Sequence, residues 1–315
     1  MPVADKIPMC SVVVPCFNAE GTIEATLSSV LAQTAADIEI IVVDDGSEDG
    51  SAGIVERLIA TDARIRLIQQ DNAGVAAARN AGILSARARL IALIDADDLW
   101  TPDHLALHLF RFAVFPELGV SFSTARFIDA DGTVCGMARP KLTGLVPADL
   151  LASNPTTTCS TLVVRRDVFR DVGLFRTEMR HNEDQEWLFR VTLSGWVLSG
   201  VADLSVSYRT SPEGLASDLE GMRRGFDTML VEARKLAPTL VARHEARATA
   251  RTYRYLARRA LRLGRPPSIA RGYILTALKT SPMMLLSEPR ATLATLAAAL
   301  IPKALDYIPS RTARA

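Results

Sequence analysis

A doubly wound α/β fold with a mostly parallel sheet is the architecture this 315-residue sequence predicts. Three observations predict it. Four short apolar runs rich in Val or Ile recur through the first hundred residues: SVVVP (11–15), EIIVV (39–43), IRLIQ (65–69) and LIALI (90–94). Strands covered on both faces read as continuous apolar runs rather than as alternating ones. The stretches between them, 20–33, 52–61 and 73–86, are each long enough for a crossover helix, and repeated β-α units imply parallel pairing. Hydrophobic residues make up 49% of the chain and charged residues 23%, an ordinary globular balance that excludes a disordered or fibrous class.

The rhythm changes after Leu99. Pro102 suits the first turn of a helix over 102–115. GVSFS (119–123), TLVV (161–164), a helix over 183–194 and strand-like SVSYR (205–209) follow, a mixed second half closing over the sheet edge. From about residue 218 the chain reads as helical, and no internal repeat or low-complexity linker interrupts it. The formal net charge of +1 conceals an asymmetry: residues 221–315 hold 18 Lys/Arg against 5 Asp/Glu, so this stretch stands at +13 and the rest at −12. Cys10, Cys16, Cys135 and Cys159 form no CxxC pair and no disulfide framework, which points to a reducing compartment. The N-terminus shows no signal pattern, and the longest apolar run, ATLATLAAALIP (291–302), falls short of the ~20 residues that cross a bilayer. A cytoplasmic protein, peripheral at the inner face of a membrane at most, is the expectation.

In sheets of this kind ligands bind at the carboxyl ends of the strands, so the turns there carry the chemistry. PCFNAEG (15–21) has neither GxGxxG nor GxxxxGK[ST], which argues against a dinucleotide-binding dehydrogenase or a P-loop enzyme. It also lacks the Gly-rich basic loop expected of a nucleotidyltransferase. VVDDGSEDG (42–50) has two readings. One is a polar turn capping the next helix through Asp49 or Ser51. The other takes Asp44 and Asp45 as acceptors for a base N–H or a ribose hydroxyl. ALIDADDLW (92–100) places Asp95, Asp97 and Asp98 after apolar residues. On an extended strand end Asp95 and Asp97 point the same way. Carboxylates gathered at one mouth repel, and hard oxygen ligands suit Mg2+ or Mn2+, which would neutralise a diphosphate. The alternative is a solvated acidic turn leading into the helix at Pro102. In NAGVAAARNAG (72–82), Arg79 is either a ligand for a phosphate or ribose or an exposed helix charge.

Together, VVVPCFNAEGTIEATLSSVLAQT, VVDDGS, NAGVAAARN and DADDLWTPDHL, in this order and spacing, resemble family 2 of the inverting glycosyltransferases with the A-type fold, over about residues 9–210. The resemblance implies a catalytic domain over 1–215, with a donor half at about 9–100 and an acceptor half at about 101–215, followed by a basic helical region over 216–315. It implies that Pro15, Phe17 and Glu20 line the nucleotide pocket, that Asp45 with Asp44 beside it meets the base, and that Arg79 approaches the ribose or diphosphate. Asp95 and Asp97 would be the DxD pair at ribose and metal. HNEDQEWLFRV (181–191) resembles the family's Glu-Asp motif, which makes Asp184 the catalytic base and Glu183 its neighbour. From the residues alone, the same acids are favourable charges at a helix start. Tyr208 and Arg209 match a pair on a loop that closes over the donor, but the His that many relatives carry two residues later is Ser211 here, with His181 as a substitute or as a plain surface residue.

The implied activity is transfer of a sugar from a nucleotide-sugar donor to a carbohydrate or lipid-linked acceptor, in polysaccharide or glycolipid assembly. The rival is a non-catalytic nucleotide-sugar-binding or membrane-associated scaffold, disfavoured by the presence of Asp95, Asp97 and Asp184. Arg243, Arg247, Arg251, Arg254, Arg258 and Arg262 recur every three or four residues along one helix face. They form a solvated or packed basic face, or a surface for anionic lipid or a lipid-diphosphate acceptor. No aromatic interleaving accompanies them, so no nucleic-acid partner is expected.

Overall fold

The computed structural model describes residues 7–211 and 214–301. They divide into two compact units, one of residues 7–150 and 154–211, the other of 151–153 and 214–301.

The first unit opens with the repeated β-α pattern: β1 (Cys10–Cys16), α1 (Ile23–Leu31), β2 (Ile38–Asp44), α2 (Ser51–Ile59), β3 (Ile65–Gln69), α3 (Val75–Ser85) and β4 (Leu90–Leu93). It continues with β5 (Leu99–Trp100), α4 (His104–Val114), β6 (Leu118–Ile128), β7 (Val134–Met137) and α5 (Pro147–Ala152). After these come β8 (Leu162–Arg165), α6 (Arg166–Val172), α7 (Glu183–Leu193) and β9 (Val197–Arg209). The sheet runs β3-β2-β1-β4-β8-β6-β9-β5, with β7 beside β6. The first four strands are parallel, as the sequence predicts. β8 is antiparallel to both β4 and β6, β9 is parallel to β6, and β5 is antiparallel to β9.

Alternation along β1 divides the core. Val12 and Val14 pack in one cluster with Ile23 and Leu27 of α1 and Val55 of α2. Val13 faces the other way, onto Gly82 of α3, where an added Cβ would stand 2.3 Å from a Val13 methyl. That close approach brings α3 onto the sheet and carries Arg79, one turn earlier, under the strand mouths.

Two expectations are corrected and one strand was missed. β4 stops at Leu93, and residues 95–98 form a turn closed by the Asp98 N–H on the Asp95 carbonyl at 3.1 Å, so the carboxylates do not stand on an extended strand end. β9 is thirteen residues long instead of five, because its first half mixes exposed polar positions that break the apolar pattern. The short β7 has mostly exposed residues and gave no apolar signal.

The second unit contains α8 (Leu219–Leu236), α9 (Pro238–Arg262), α10 (Pro267–Thr280), α11 (Met284–Ser287) and α12 (Pro289–Leu300). Pro238, Pro267 and Pro289 each open a helix, where a missing N–H costs nothing. Leu256, Ala257 and Ala260 of α9 pack with Ile274 and Ala277 of α10 and Ala299 of α12. The arginine stripe of α9 is not a uniform solvent face. Arg251 donates to the Glu288 carboxylate at 2.5 Å, Arg254 bonds its other oxygen, and Arg247 lies 3.8 Å away. Part of the stripe is therefore an ion-pair joint between α9 and the start of α12. Among the described residues no helix is long and apolar enough to cross a membrane; Pro302 lies outside them.

Candidate active site

At the mouth of β1, Pro15 is buried in register with Val43, and Phe17 is 49% exposed. The loop then crosses to the start of α2. The Ala19 N–H donates to Ser51 Oγ at 2.8 Å and the Glu20 N–H to Asp49 at 3.0 Å. The Glu20 carboxylate accepts the Gly50 N–H at 2.9 Å. In this structure Glu20 holds the turn that leads into α2.

The acids of VVDDGS are likewise committed. Asp44, 3% exposed, accepts the Ser47 N–H at 3.2 Å. Asp45 accepts Gln70 Nε2 at 2.7 Å, the Ala73 N–H at 2.9 Å and the Gly74 N–H at 2.8 Å. Its carboxylate folds the 70–74 turn, in which Gly74 takes φ 91°, a left-handed value that glycine tolerates. Asp49 Oδ1 accepts the Ser51 N–H at 3.0 Å, and the cap residue of α2 is Gly50 rather than Asp49 or Ser51. Asp45 is thus a turn former in this structure.

Arg79 stands at the centre. It is 5% exposed, which removes the exposed-charge reading. It donates to Asp95 Oδ1 at 2.6 Å and to Glu183 Oε1 at 2.8 Å, and its guanidinium carbon lies 5.9 Å from the Phe175 ring centroid. Its Nε is buried with no hydrogen-bond partner among the described residues. The neighbouring Asn80 bonds both backbone polar groups of Phe175, at 2.8 and 3.1 Å, and fixes that ring in place. One arginine therefore ties the DxD turn to the Glu-Asp motif, which lies 104 residues beyond that arginine in sequence.

The DxD turn is held from several sides. Thr26 Oγ1 donates to the Ala96 and Asp98 carbonyls, both at 2.9 Å. Asp98 is fully buried and accepts Ser160 Oγ at 2.5 Å and the Arg209 N–H at 2.9 Å. Burial pushes its carboxyl well above the usual range. Burial, then the charge of Asp95, raises Asp97 to about 6. The Arg209 guanidinium donates to the Asp97, Asp129 and Ala130 carbonyls at 3.1, 3.1 and 2.7 Å. It braces the turn from the side of β9.

At the start of α7, Asp184 accepts Asn154 Nδ2 at 2.6 Å and the Gln185 N–H at 2.7 Å. Burial raises its carboxyl, and burial followed by the Asp184 charge pushes Glu183 up to about 7 against the pull of Arg79. Elevated carboxyl groups suit a base that works near neutral pH. The residues that hold these groups went unread in the sequence. Asn154 grips Asp184, Thr158 Oγ1 donates to Asp95 at 3.3 Å, and Ser160 serves both the Asp95 N–H and the Asp98 carboxylate. All three lie in NPTTTCST (154–161), a polar run dense enough to have been a signal. Thr157 in that segment has φ 71°, a strained value for a β-branched residue. Burial raises the Cys159 thiol well above its ordinary value, so it is no thiolate nucleophile.

Among the described residues no three His, Cys, Asp or Glu gather as metal ligands, so His181 does not complete a triad with Asp95 and Asp97. Two carboxylates with repelling charge still fit a hard divalent ion, which commonly takes one or two carboxylates and leaves the rest of its shell to water and phosphate.

The family model described as glycosyl transferase family 2 matches residues 11–173, more than half of the chain. The putative teichuronic acid biosynthesis glycosyltransferase TuaG of Bacillus subtilis (strain 168) is 29% identical over 212 residues, covering 67% of this chain and 82% of that protein. The uncharacterized glycosyltransferase EpsJ of the same organism is 49% identical over 92 residues, or 29% of this chain and 27% of that one. The chondroitin synthase of Pasteurella multocida (strain Pm70) is 31% identical over 129 residues, or 41% of this chain and 13% of the synthase. The chain thus spans only a minor part of the length of these last two. Among solved structures, a mannosyltransferase from Pyrobaculum calidifontis in complex with GDP-Man and Mn2+ superposes with TM-score 0.61 at 19% identity, over 98% of this chain and 89% of that one. S. aureus TarS 1-349 in complex with UDP-GlcNAc gives 0.58 at 15% identity, over 95% and 91%. At such identities the likeness is one of fold. With a family model over more than half of its length and the Asp95–Arg79–Glu183 bridge joining the motifs, the chain belongs to glycosyl transferase family 2.

Proposed function

We propose that the protein is a metal-dependent inverting glycosyltransferase that moves a sugar from a nucleotide-sugar donor to a hydroxyl of a carbohydrate or lipid-linked acceptor, in polysaccharide or glycolipid assembly. The observation that carries this reading is Arg79, whose guanidinium joins Asp95 of the DxD turn to Glu183 of the Glu-Asp motif. Donor-side and base-side carboxylates thereby form one network. The relatives support the reading: the solved neighbours bind UDP-GlcNAc or GDP-Man, one of them with Mn2+.

Asp184 takes the proton of the acceptor hydroxyl, whose oxygen attacks the anomeric carbon from the face opposite the leaving nucleoside diphosphate. One displacement inverts the configuration and needs no covalent enzyme intermediate. Asn154 and the Gln185 N–H fix the Asp184 carboxylate, and Arg79 holds Glu183 beside it. Asp95 and Asp97 would hold Mg2+ or Mn2+, which supplies charge neutralisation for the departing diphosphate. Phe17, exposed at the mouth of β1, offers a face for the nucleotide base, and Pro15 sets its position. Asp44 and Asp45 act on the nucleotide through the turns they fold.

The test is a panel of nucleotide sugars assayed for hydrolysis and transfer with Mn2+, with Mg2+ and with chelator. Activity on at least one donor, lost with chelator and restored by metal, is the expected result. Asp97→Ala should weaken binding of the nucleoside diphosphate in calorimetry and lose most of the chelator effect. If that variant binds as the parent does and responds to chelator unchanged, the metal role is wrong.

A further inference from the structure

The last helix is amphipathic in the reverse sense. α12 buries Thr292, Thr295, Ala298 and Ala299. It exposes Leu293 (54%) and Leu300 (51%), two turns apart on its outer face. The inward hydroxyls are satisfied by helix carbonyls, with Thr292 on Glu288 at 2.8 Å and Thr295 on Ala291 at 2.7 Å, so the inner face packs closely through small groups. Met283 and Leu286, 64% and 74% exposed, flank the start of the helix. A helix that turns leucines to water and threonines inward presents an apolar surface for something else.

Charge says what that is. Residues 246–301 carry ten Lys/Arg and one acid, Glu288. That single carboxylate is held by Arg251 and Arg254. Arg271 and Lys279 of α10 and Arg290 of α12 occupy exposed positions on two helices that pack against each other. The outward groups of α10–α12 therefore include leucine, methionine and cations, and the one carboxylate of the stretch is already paired. A second copy of the same face would bring like charges together. A bilayer with anionic headgroups meets both features, since leucines enter the boundary with the acyl chains while Arg and Lys stay among the phosphates.

We propose that the face formed by α10–α12 docks on an anionic lipid bilayer, with Leu286, Leu293 and Leu300 inserted and Arg271, Lys279 and Arg290 at the phosphates. This locates the membrane contact away from the α9 stripe, two of whose arginines are occupied by Glu288. It stands independently of the transferase chemistry.

The test is co-sedimentation of the full chain with vesicles of phosphatidylcholine alone and of phosphatidylcholine with phosphatidylglycerol, at low and at physiological salt. Binding should require the anionic lipid and weaken with salt as screening shortens to a ~8 Å Debye length. Replacing Leu286, Leu293 and Leu300 together with Ser should reduce binding by about tenfold or more, since each inserted leucine withdraws a large apolar area from water. Arg271→Gln with Arg290→Gln should reduce it by about fivefold for each charge removed. Donor hydrolysis in solution should be unchanged in these variants, which separates failure of this proposal from failure of the catalytic reading. Equal binding to both vesicle types, absence of binding to either, or a serine variant that binds like the parent would overturn it. So would a serine variant that only converts a dimer to a monomer.

Discussion

Asp184→Asn is the substitution that bears most directly on mechanism. It keeps the size of the side chain and removes the ability to take a proton, so turnover should fall by ~10²–10⁴-fold, the usual worth of a positioned base. Donor affinity should hold, because Asp95 and Asp97 are untouched. The structure adds a second, measurable consequence. Both oxygens of Asp184 accept from donors, Asn154 Nδ2 at 2.6 Å and the Gln185 N–H at 2.7 Å. An asparagine must turn its NH2 toward one of them. Asn154 cannot rotate to offer its oxygen, which already accepts from the Thr156 N–H and hydroxyl at 2.9 and 2.8 Å. One donor is then unmatched in a half-buried place, at a cost of ~1–3 kcal/mol. Loss of the charge that raises Glu183 to about 7 works in the opposite direction, so the lower end of that range applies near neutral pH. The expected change in melting temperature is a fall of about 2 to 4 °C, on ~2–4 °C per kcal/mol for a domain of this size. Steady-state transfer assays, calorimetric donor binding and thermal melting on the same preparation test all three statements. A folded variant that keeps most of its transfer rate would refute Asp184 as the base, and Glu183 would be the next group to examine.

Other expectations follow from the same contacts. Arg79→Met leaves Glu183 buried and Asp95 half-buried without their shared cation, so urea unfolding should show a loss of ~3 kcal/mol, the lower end for a broken buried pair, and Arg79→Lys should recover only part because one ammonium cannot span both carboxylates. Gly82→Ala forces a methyl to 2.3 Å from Val13, which should cost ~1–3 kcal/mol of overpacking and lower turnover by displacing Arg79; a variant as active and stable as the parent would show that α3 has room to shift. Burial holds His108 down at about 3 and His104 well below the ordinary 6.5. The unfolded chain therefore takes up protons first as pH falls below 6.5, and stability should decline from there toward pH 3 by up to ~1.4 kcal/mol per pH unit for each histidine. Asp97 and Glu183, raised to about 6 and about 7, titrate in the opposite sense: their contribution is full below the ordinary carboxyl range and is lost as pH rises through those values. Comparison with His108→Leu isolates the histidine effect, and an unchanged acid slope in that variant would contradict it.

The parallel half of the sheet was legible because β1 and β2 are buried along their whole length, so composition alone marks them. β7 and the first half of β9 were not, since half-exposed strands in a mixed sheet carry polar residues that imitate loops. At the site, the residue types were legible but their partners were not. Asp45, Glu20 and Arg209 have the chemistry to meet a nucleotide, and in the fold each is occupied by backbone groups of turns distant in sequence. Such pairings depend on which loops the sheet order makes neighbours. β8, inserted between β4 and β6, brings the 154–161 segment beside the DxD turn, and nothing local to either segment announces that adjacency. Arg79 shows the same limit, since only the tertiary fold distinguishes a surface arginine from the link between two motifs.

The 154–161 segment has an evolutionary consequence. Because Asn154 steadies the base while Thr158 and Ser160 steady the DxD turn, changes in this stretch affect both halves of the chemistry at once. A new acceptor preference cannot readily arise there without weakening the reaction that every acceptor shares. The exposed β7 arm of the β6–β7 hairpin has no such double duty, and insertions in it leave both carboxylate clusters in place. Diversification of acceptor choice is therefore expected to concentrate in that hairpin, with 154–161 drifting slowly as common infrastructure.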